Sequence, residues 1–256
     1  MKNLFSIEGK TALVTGGSSG IGAMIARGYV ENGAKVYIAS RKKDVCEDVA
    51  ADFSRFGTCV AIAADLSTEP ACRTLAEEIA EREGKLDILV NNAGANWGED
   101  ISTFPDAAWD RVLNLNVKGI FHLTRCLIPT LASAGTADDP ARVINIGSID
   151  GLKAPTLETY SYSASKAAVH HMTRVLAKKL APQHITVNAV APGPFQSRMM
   201  RATLEQFGDS IAKTNPLGRI GQDEDMAGIA IFLASRASAY MTGTVIPVDG
   251  GITATT

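Results

Sequence analysis

The chain of 256 residues has no apolar run of 18 residues, no C-x-x-C pair, no block of like charge and no low-complexity tail. Each absence excludes something. Without about 18 consecutive apolar residues, no segment reads as a membrane-spanning helix. The stretch from Met1 to Lys10 also lacks the apolar core of a signal peptide, so a soluble, cytoplasmic protein is expected. A net charge of -2 and a pI near 6.1 leave no electrostatic basis for binding nucleic acid or an anionic membrane. Cys46, Cys59, Cys72 and Cys126 are scattered, which favours reduced structural thiols over disulfides or metal ligands. No metal site is expected. What is present is a 46% hydrophobic content against 20% charged residues, enough to bury one large core and consistent with a single domain over 1–256.

Taken in order, the chain alternates short β-prone runs with helical patterns. The strands are expected at 11–15, 35–39, 58–63, 86–90, 142–146, 185–190 and 244–248, with helical patterns at 21–32, 42–55, 69–83, 106–127, from Tyr162 onward, and at 223–235. Strands separated by helices indicate βαβ units, hence an α/β fold with a doubly wound parallel sheet of about seven strands and helices on both faces. The first unit is informative. Thr15 leads directly into Gly16, Gly17, Ser18, Ser19, Gly20, Ile21 and Gly22, and a helix follows. A glycine-rich turn between a strand and a helix presents unpaired N–H groups and the positive end of the helix dipole to a phosphate. Gly16 would permit the tight turn, Gly20 the approach of a pyrophosphate, and Gly22 close packing of helix on strand. By itself such a loop is also ordinary turn chemistry.

The end of the second strand bears on which dinucleotide would bind. An acidic residue there contacts the ribose 2′-hydroxyl of NAD, whereas an arginine accommodates the 2′-phosphate of NADP. Here Ser40, Arg41 and Lys42 stand without any acidic residue, which favours NADP(H); a solvated charge run is the alternative. Asp65 follows the third strand and Asn91 to Gly94 the fourth, where ligands bind in open α/β sheets, although turn and cap roles remain open for both.

Tyr162 and Lys166 are four residues apart at the start of a helical pattern that continues through Val169, Thr173, Leu176 and Leu180. On a helix their Cβ atoms lie about 5 to 6 Å apart. A neighbouring ammonium favours the phenolate, so Lys166 is expected to make Tyr162 a better proton donor and acceptor at neutral pH. The alternative is a surface pair whose stems cover the core. Asn114 and Asn116, close together inside the fourth helical pattern, also suggest a local purpose, because a mid-helix asparagine competes for backbone hydrogen bonds. Between Phe195 and Ile220 the pattern loosens into a short amphipathic segment, readable as a small substrate lid near 195–220 or as a subunit contact.

With these motifs in order, the chain resembles the short-chain dehydrogenase/reductase family over its whole length, and most closely the bacterial NADPH-dependent 3-oxoacyl reductases. The resemblance rests on the turn from Thr15 to Gly22, Asp65, Asn91 to Gly94, Asn116, Ser148, Tyr162 with Lys166, Pro192-Gly193 and Asp249 to Gly251. It implies a Rossmann-type fold with Tyr162 as general acid, Lys166 supporting it, Ser148 bonding the substrate oxygen and Asn116 holding a water that links Lys166 to solvent. Asn114 does not match and reads as a local structural residue. Implied cofactor contacts are Gly16, Ser18, Ser19, Gly20, Ile21, Gly22, Arg41, Asp65, Leu66, Asn92, Ala93, Gly94, Pro192, Gly193, Phe195 and Ser197, together with Tyr162 and Lys166. Ser197 stands where the family usually has threonine. The four histidines, His122, His170, His171 and His184, read as structural. A homotetramer is the family's common state.

The implied reaction is NADPH-dependent reduction of a ketone to a secondary alcohol, with a 3-oxoacyl thioester as first choice and another apolar or cyclic ketone as alternative; a non-catalytic NADP-sensing protein is the reading from another class. Trp97, Leu152, Leu157, Phe195, Met199 and Met200 suggest an apolar substrate pocket. Asp138 and Asp139 stand where carrier-docking reductases are basic, which makes an acyl carrier protein doubtful and a coenzyme A thioester or free ketone comparable. The cofactor reading is testable by itself: Arg41→Asp should shift the ratio of NADPH to NADH affinity toward NADH, and an unchanged ratio would refute it.

Overall fold

The computed structural model describes residues 3–197 and 200–255, the side chains of 201 and 202 excepted. Seven parallel strands form one sheet in the order β3-β2-β1-β4-β5-β6-β7. They are β1 (Thr11–Thr15), β2 (Lys35–Ser40), β3 (Cys59–Ala63), β4 (Ile88–Asn91), β5 (Ala141–Ile146), β6 (Ile185–Pro192) and β7 (Val245–Val248). The order reverses between β1 and β4, and that switch opens a crevice at the strands' carboxyl ends.

The helices are α1 (Gly20–Glu31), α2 (Lys43–Phe53), α3 (Glu69–Glu83), α4 (Asp106–Leu113), α5 (Ile120–Ala134), α6 (Tyr160–Leu180), α7 (Arg201–Thr214), α8 (Asp223–Ala234) and α9 (Ile252–Thr255). Successive side chains of a strand point to opposite faces, so each strand feeds two cores. Val14, Val36, Ile88 and Ile144 pack with Ile25, Tyr29 and Leu233 of α1 and α8 on one face. Leu13, Tyr37, Leu89 and Val143 pack with Leu75, Leu123 and Leu180 on the other. Near-continuous apolar strands follow from burial on both sides.

One expected helix differs from the sequence reading. The single helix expected over 106–127 is α4 and α5 joined by a π-helical segment, Asn114–Gly119, and α5 continues through Pro129 to Ala134. The widened turn carries Asn116 inward, and it passes so close to the β3 end that a Cβ on Gly119 would lie 2.5 Å from the Leu66 carbonyl oxygen. Hydrophobic periodicity does not register one extra residue in a turn. The amphipathic segment near 195–220 is α7, and α9 is a short helix whose backbone and Thr253 hydroxyl are held by the Asp249 carboxylate.

A polar ladder crosses the sheet beneath the crevice. Asn91 Nδ2 donates to Thr124 Oγ1 at 3.1 Å and to Asn145 Oδ1 at 2.9 Å. Asn145 Nδ2 then donates to Thr173 Oγ1 at 2.9 Å. Asn91, Thr124, Asn145 and Thr173 are all buried, so the ladder ties α5, β4, β5 and α6 into one register. Replacing Asn91 by Leu leaves acceptors on Thr124 and Asn145 without their donor. Urea unfolding is expected to show a loss of about 2 to 4 kcal/mol, and an unchanged midpoint would show that the ladder contributes nothing.

Candidate active site

The crevice begins where β1 turns into α1. Gly16 adopts φ +65°, a left-handed conformation that glycine enters without strain. A Cβ on Gly22 would lie 2.3 Å from both Asn92 Nδ2 and the Gly16 carbonyl oxygen, so the turn closes only on glycine there. Thr15 Oγ1 accepts the backbone N–H groups of Asn92 and Ala93 at 2.9 and 3.0 Å. Asn92 Nδ2 donates back to the Thr15 carbonyl at 2.9 Å. The switch point is thus locked by a threonine that the motif reading left without a role.

Around this lock the residues fit a dinucleotide phosphate. Ser19 makes no side-chain cap on α1 and the first turn has no acidic residue, so its N–H groups and positive dipole end stay free for an anion. Ser18 is buried and Ser19 exposed, while Ile21 packs toward the core. Ser197 lies against the turn, 3.1 Å from where a Cβ on Gly20 would be. Arg41 is exposed at the end of β2, and its side chain makes no hydrogen bond or ion pair to the described residues. Asp65 and Gly94 are exposed along the same edge.

Other residues expected at the cofactor have their side chains or N–H groups engaged within the protein. The Leu66 side chain is buried, which leaves only its backbone near the edge. Asn91 is committed to the polar ladder, and the Asn92 amide and Ala93 N–H to Thr15. Pro192 is buried at the end of β6, and the Gly193 N–H bonds the Val248 carbonyl at 3.0 Å. Phe195 is 2% exposed, its ring packed so closely on Gly221 that a Cβ there would lie 2.3 Å away. Its side chain belongs to the core and corrects its placement in the apolar pocket.

Helix α6 and strand β5 supply the chemical groups. Lys166 is buried, with its Nζ 5.4 Å from the Tyr162 ring centroid and donating to the Ile146 carbonyl at 2.8 Å. Ser148 follows β5 and opens a single 3-10 turn, Ile149–Gly151, where its Oγ accepts the Asp150 N–H at 3.1 Å. Asn116 is fully buried: its Oδ1 accepts the Ala95 N–H at 2.8 Å, and its Nδ2 donates to the Ala95 carbonyl at 2.9 Å and to Ser165 Oγ at 3.0 Å. Ser165 Oγ in turn donates to the Tyr162 carbonyl. The Asn116 side chain therefore braces the tyrosine helix against the β4 loop, with no donor left for a water.

The electrostatics depart from the expectation that Lys166 draws the phenol toward ionisation. Burial pushes Tyr162 up to about 12; the Ser148 hydroxyl opposes this and the Asp150 carboxylate adds to it. Burial also pushes Lys166 down to about 8, against the pull of Asp150. Desolvation disfavours both charged forms, and the ammonium is turned toward Ile146. At neutral pH the phenol keeps its proton, which is the state required for donating one to a carbonyl oxygen.

On the substrate side, the loop after β4 is joined to the segment before α6 by the Glu99 N–H, which donates to the Glu158 carbonyl at 3.2 Å. Trp97 is half-buried with the Arg111 guanidinium 5.5 Å over its ring. Leu152 and Leu157 are exposed, Met200 half-buried at the start of α7, and Met199 lies outside the described residues. Tyr160, which lacks a lysine one turn on, instead packs edge-on against Phe104 at 5.4 Å. Asp139 pairs with Lys10 at 2.8 Å and Arg142 at 3.0 Å, so its charge is neutralised at the end of β5 opposite Ser148.

The lysine shift makes a prediction for the protein alone. Lys166 sits near 8 in the folded chain against an ordinary 10.5, so folding costs a proton between those values. The penalty is full below about pH 8 and fades as pH rises toward about 10.5. Lys166→Met should therefore gain more unfolding free energy over the original chain at pH 7 than at pH 10. Equal gains at both pH values would show that no such shift exists.

The chain is similar to known proteins along nearly its full length. The family model described as Enoyl-(Acyl carrier protein) reductase matches residues 16–253. The rhamnolipids biosynthesis 3-oxoacyl-[acyl-carrier-protein] reductase of Pseudomonas aeruginosa is 49% identical over 98% of this chain and 99% of its own length. The 3-oxoacyl-[acyl-carrier-protein] reductase FabG of Thermotoga maritima is 32% identical over 96% of this chain and 98% of its own. Among solved structures, the Pseudomonas aeruginosa RhlG/NADP active-site complex superposes with a TM-score of 0.95 at 47% identity, covering 99% of this chain and 100% of that one. Identity of this order along nearly the full length of both partners leaves one lineage: the chain belongs to the short-chain dehydrogenase/reductase family.

Proposed function

We propose that the protein reduces the ketone of a 3-oxoacyl thioester to a secondary alcohol with NADPH. The observation that carries this reading is the convergence of a half-buried Tyr162 phenol, the Ser148 hydroxyl beside it and the buried Lys166 ammonium, 5.4 Å from the phenol ring. When bound, the nicotinamide supplies the hydride to the carbonyl carbon. The chain's own residues manage the oxygen. Ser148 donates a hydrogen bond to it as negative charge develops, an effect worth about 3 to 4 kcal/mol of barrier for such a donor. Tyr162 then transfers its proton to that oxygen, and the positive charge on Lys166 stabilises the phenolate left behind.

The free N–H groups at the start of α1 would hold the pyrophosphate, and the unpaired Arg41 the 2′-phosphate. The similar structure solved with NADP supports that choice. Trp97, Leu152, Leu157 and Met200 line the substrate side, and α7 is the candidate lid. Apolar residues of this kind suit an acyl chain. Both 3-oxoacyl carrier-protein reductases among the relatives support a thioester, and the internally paired Asp139 removes one objection to a carrier. Cytoplasmic location and a homotetramer belong to the same proposal, on the strength of the family resemblance.

The test is NADPH consumption with 3-oxoacyl thioesters on coenzyme A and on carrier protein, beside cyclic ketones and an enoyl thioester. Tyr162→Phe should lower kcat for the ketone by about 10²- to 10⁴-fold, and Ser148→Ala by about 10²- to 10³-fold. Undiminished turnover in Tyr162→Phe would defeat the mechanism. Cofactor binding with no turnover on any ketone would favour a sensing role instead.

A further inference from the structure

His170 is four residues beyond Lys166 on α6, on the same helix face. It is 3% exposed, and neither ring nitrogen closes a hydrogen bond among the described residues. Its ring fills the space under the Ser148 turn. A Cβ on Gly147 would lie 2.1 Å from His170 Nε2, and one on Gly151 would lie 2.9 Å from His170 Cε1. Gly147 is therefore the residue that admits an imidazole there, while Gly151 lets the turn lie against the α6 backbone, where a Cβ would be 2.7 Å from Ala167 N, with the ring at its side. The sequence reading took His170 as structural, and the structure puts its ring against Gly147, next to the oxyanion donor.

Packing alone does not account for a histidine at this place. A leucine fills a buried space of this kind without two unmade hydrogen bonds, and an unsatisfied buried polar group calls for a state in which it is used. The groups facing the ring are few. Lys166 and Arg174 lie on its own helix, and the Gly151 carbonyl of the overlying turn stands beside the ring. Burial pushes the imidazole below its ordinary value, the Gly151 carbonyl opposes this, and the two cations add to it, so the ring is neutral at pH 7 and carries one N–H.

We propose that His170 is a positioning residue for the reduction: its ring N–H bonds the Gly151 carbonyl when substrate is bound and fixes the Ser148–Gly151 turn, which aims the Ser148 hydroxyl at the carbonyl oxygen. This role rests on the carbonyl-reductase function proposed for the site. It is distinct from catalysis proper, because the ring touches the turn and not the reacting atoms. Lys166 and His170 then divide the work along one helix, the first supporting the proton donor and the second the oxyanion donor.

Two variants test it, measured beside Tyr162→Phe. His170→Leu keeps the apolar packing but has no N–H; His170→Gln keeps an amide N–H at a similar reach. For His170→Leu, kcat should fall about tenfold with KM for the ketone unchanged within about threefold, since a misaimed donor loses part of its transition-state effect. The melting temperature should equal or exceed that of the original chain, because two unmade hydrogen bonds are removed, and NADPH affinity should be unchanged. His170→Gln should recover kcat to within about threefold of the original. An original kcat in His170→Leu overturns the proposal. So does a parallel fall in kcat and melting temperature in both variants, which marks a purely structural histidine. If Tyr162→Phe turns over undiminished, the reductase mechanism fails; if only the histidine variants behave as the original, the positioning role fails alone.

Discussion

A single hydrogen bond from a buried ammonium holds the site together. Lys166 Nζ reaches the Ile146 carbonyl at 2.8 Å, which ties the second turn of α6 to the last residue of the interior strand β5. Because Ser148 follows that strand by two residues and Tyr162 precedes the lysine by four, the same bond sets the distance between the proton donor and the oxyanion donor. A charge in this position is costly to desolvate, and the downward shift of the lysine records the cost. The fold tolerates it because an amide carbonyl and the Asp150 carboxylate partly replace water.

The other polar groups around the crevice follow the same logic. Asn116 uses both ends of its amide on the Ala95 backbone and Ser165, so α6 cannot slide relative to the β4 loop without breaking several bonds at once. Thr15 does the corresponding work for the phosphate turn, and the Asn91–Asn145 pair does it inside the sheet. Apolar packing between smooth strands specifies register only weakly at one-residue precision. Buried, fully satisfied polar groups specify it strongly, because any slip leaves a donor or acceptor unmade.

Much of this was legible in the residues, and the failures have identifiable causes. Seven strands could be read because burial on both faces writes continuous apolar runs. The phosphate turn could be read because glycines clustered between a strand and a helix mark a bend that bulkier residues would not close. The i, i+4 spacing of Tyr162 and Lys166 carried over unchanged into α6. Three things did not carry over. The π-helical segment was invisible because one inserted residue barely disturbs an apolar stripe; the two asparagines were its only trace. Phe195 read as a pocket residue from its loop position, yet the loop crosses Gly221, whose missing side chain admits the ring into the core. The ionisation of Tyr162 was argued from the nearness of a cation alone, and burial outweighed it.

The sequence by itself determined which groups are present and their spacing along the chain: a phosphate-binding turn, an arginine at the end of β2, a phenol and an ammonium one helical turn apart. Those are properties of local conformation, which residue order controls directly. Only the tertiary structure decided what each group faces. It turned the lysine toward a backbone carbonyl, kept the tyrosine protonated, used the Asn116 side chain as a brace, and set the His170 ring against Gly147, next to Ser148. The reason is that dielectric, desolvation and hydrogen-bond partners depend on neighbours distant in the chain. Their combined effect on one phenol or one imidazole exists only once β4, β5 and α6 have packed.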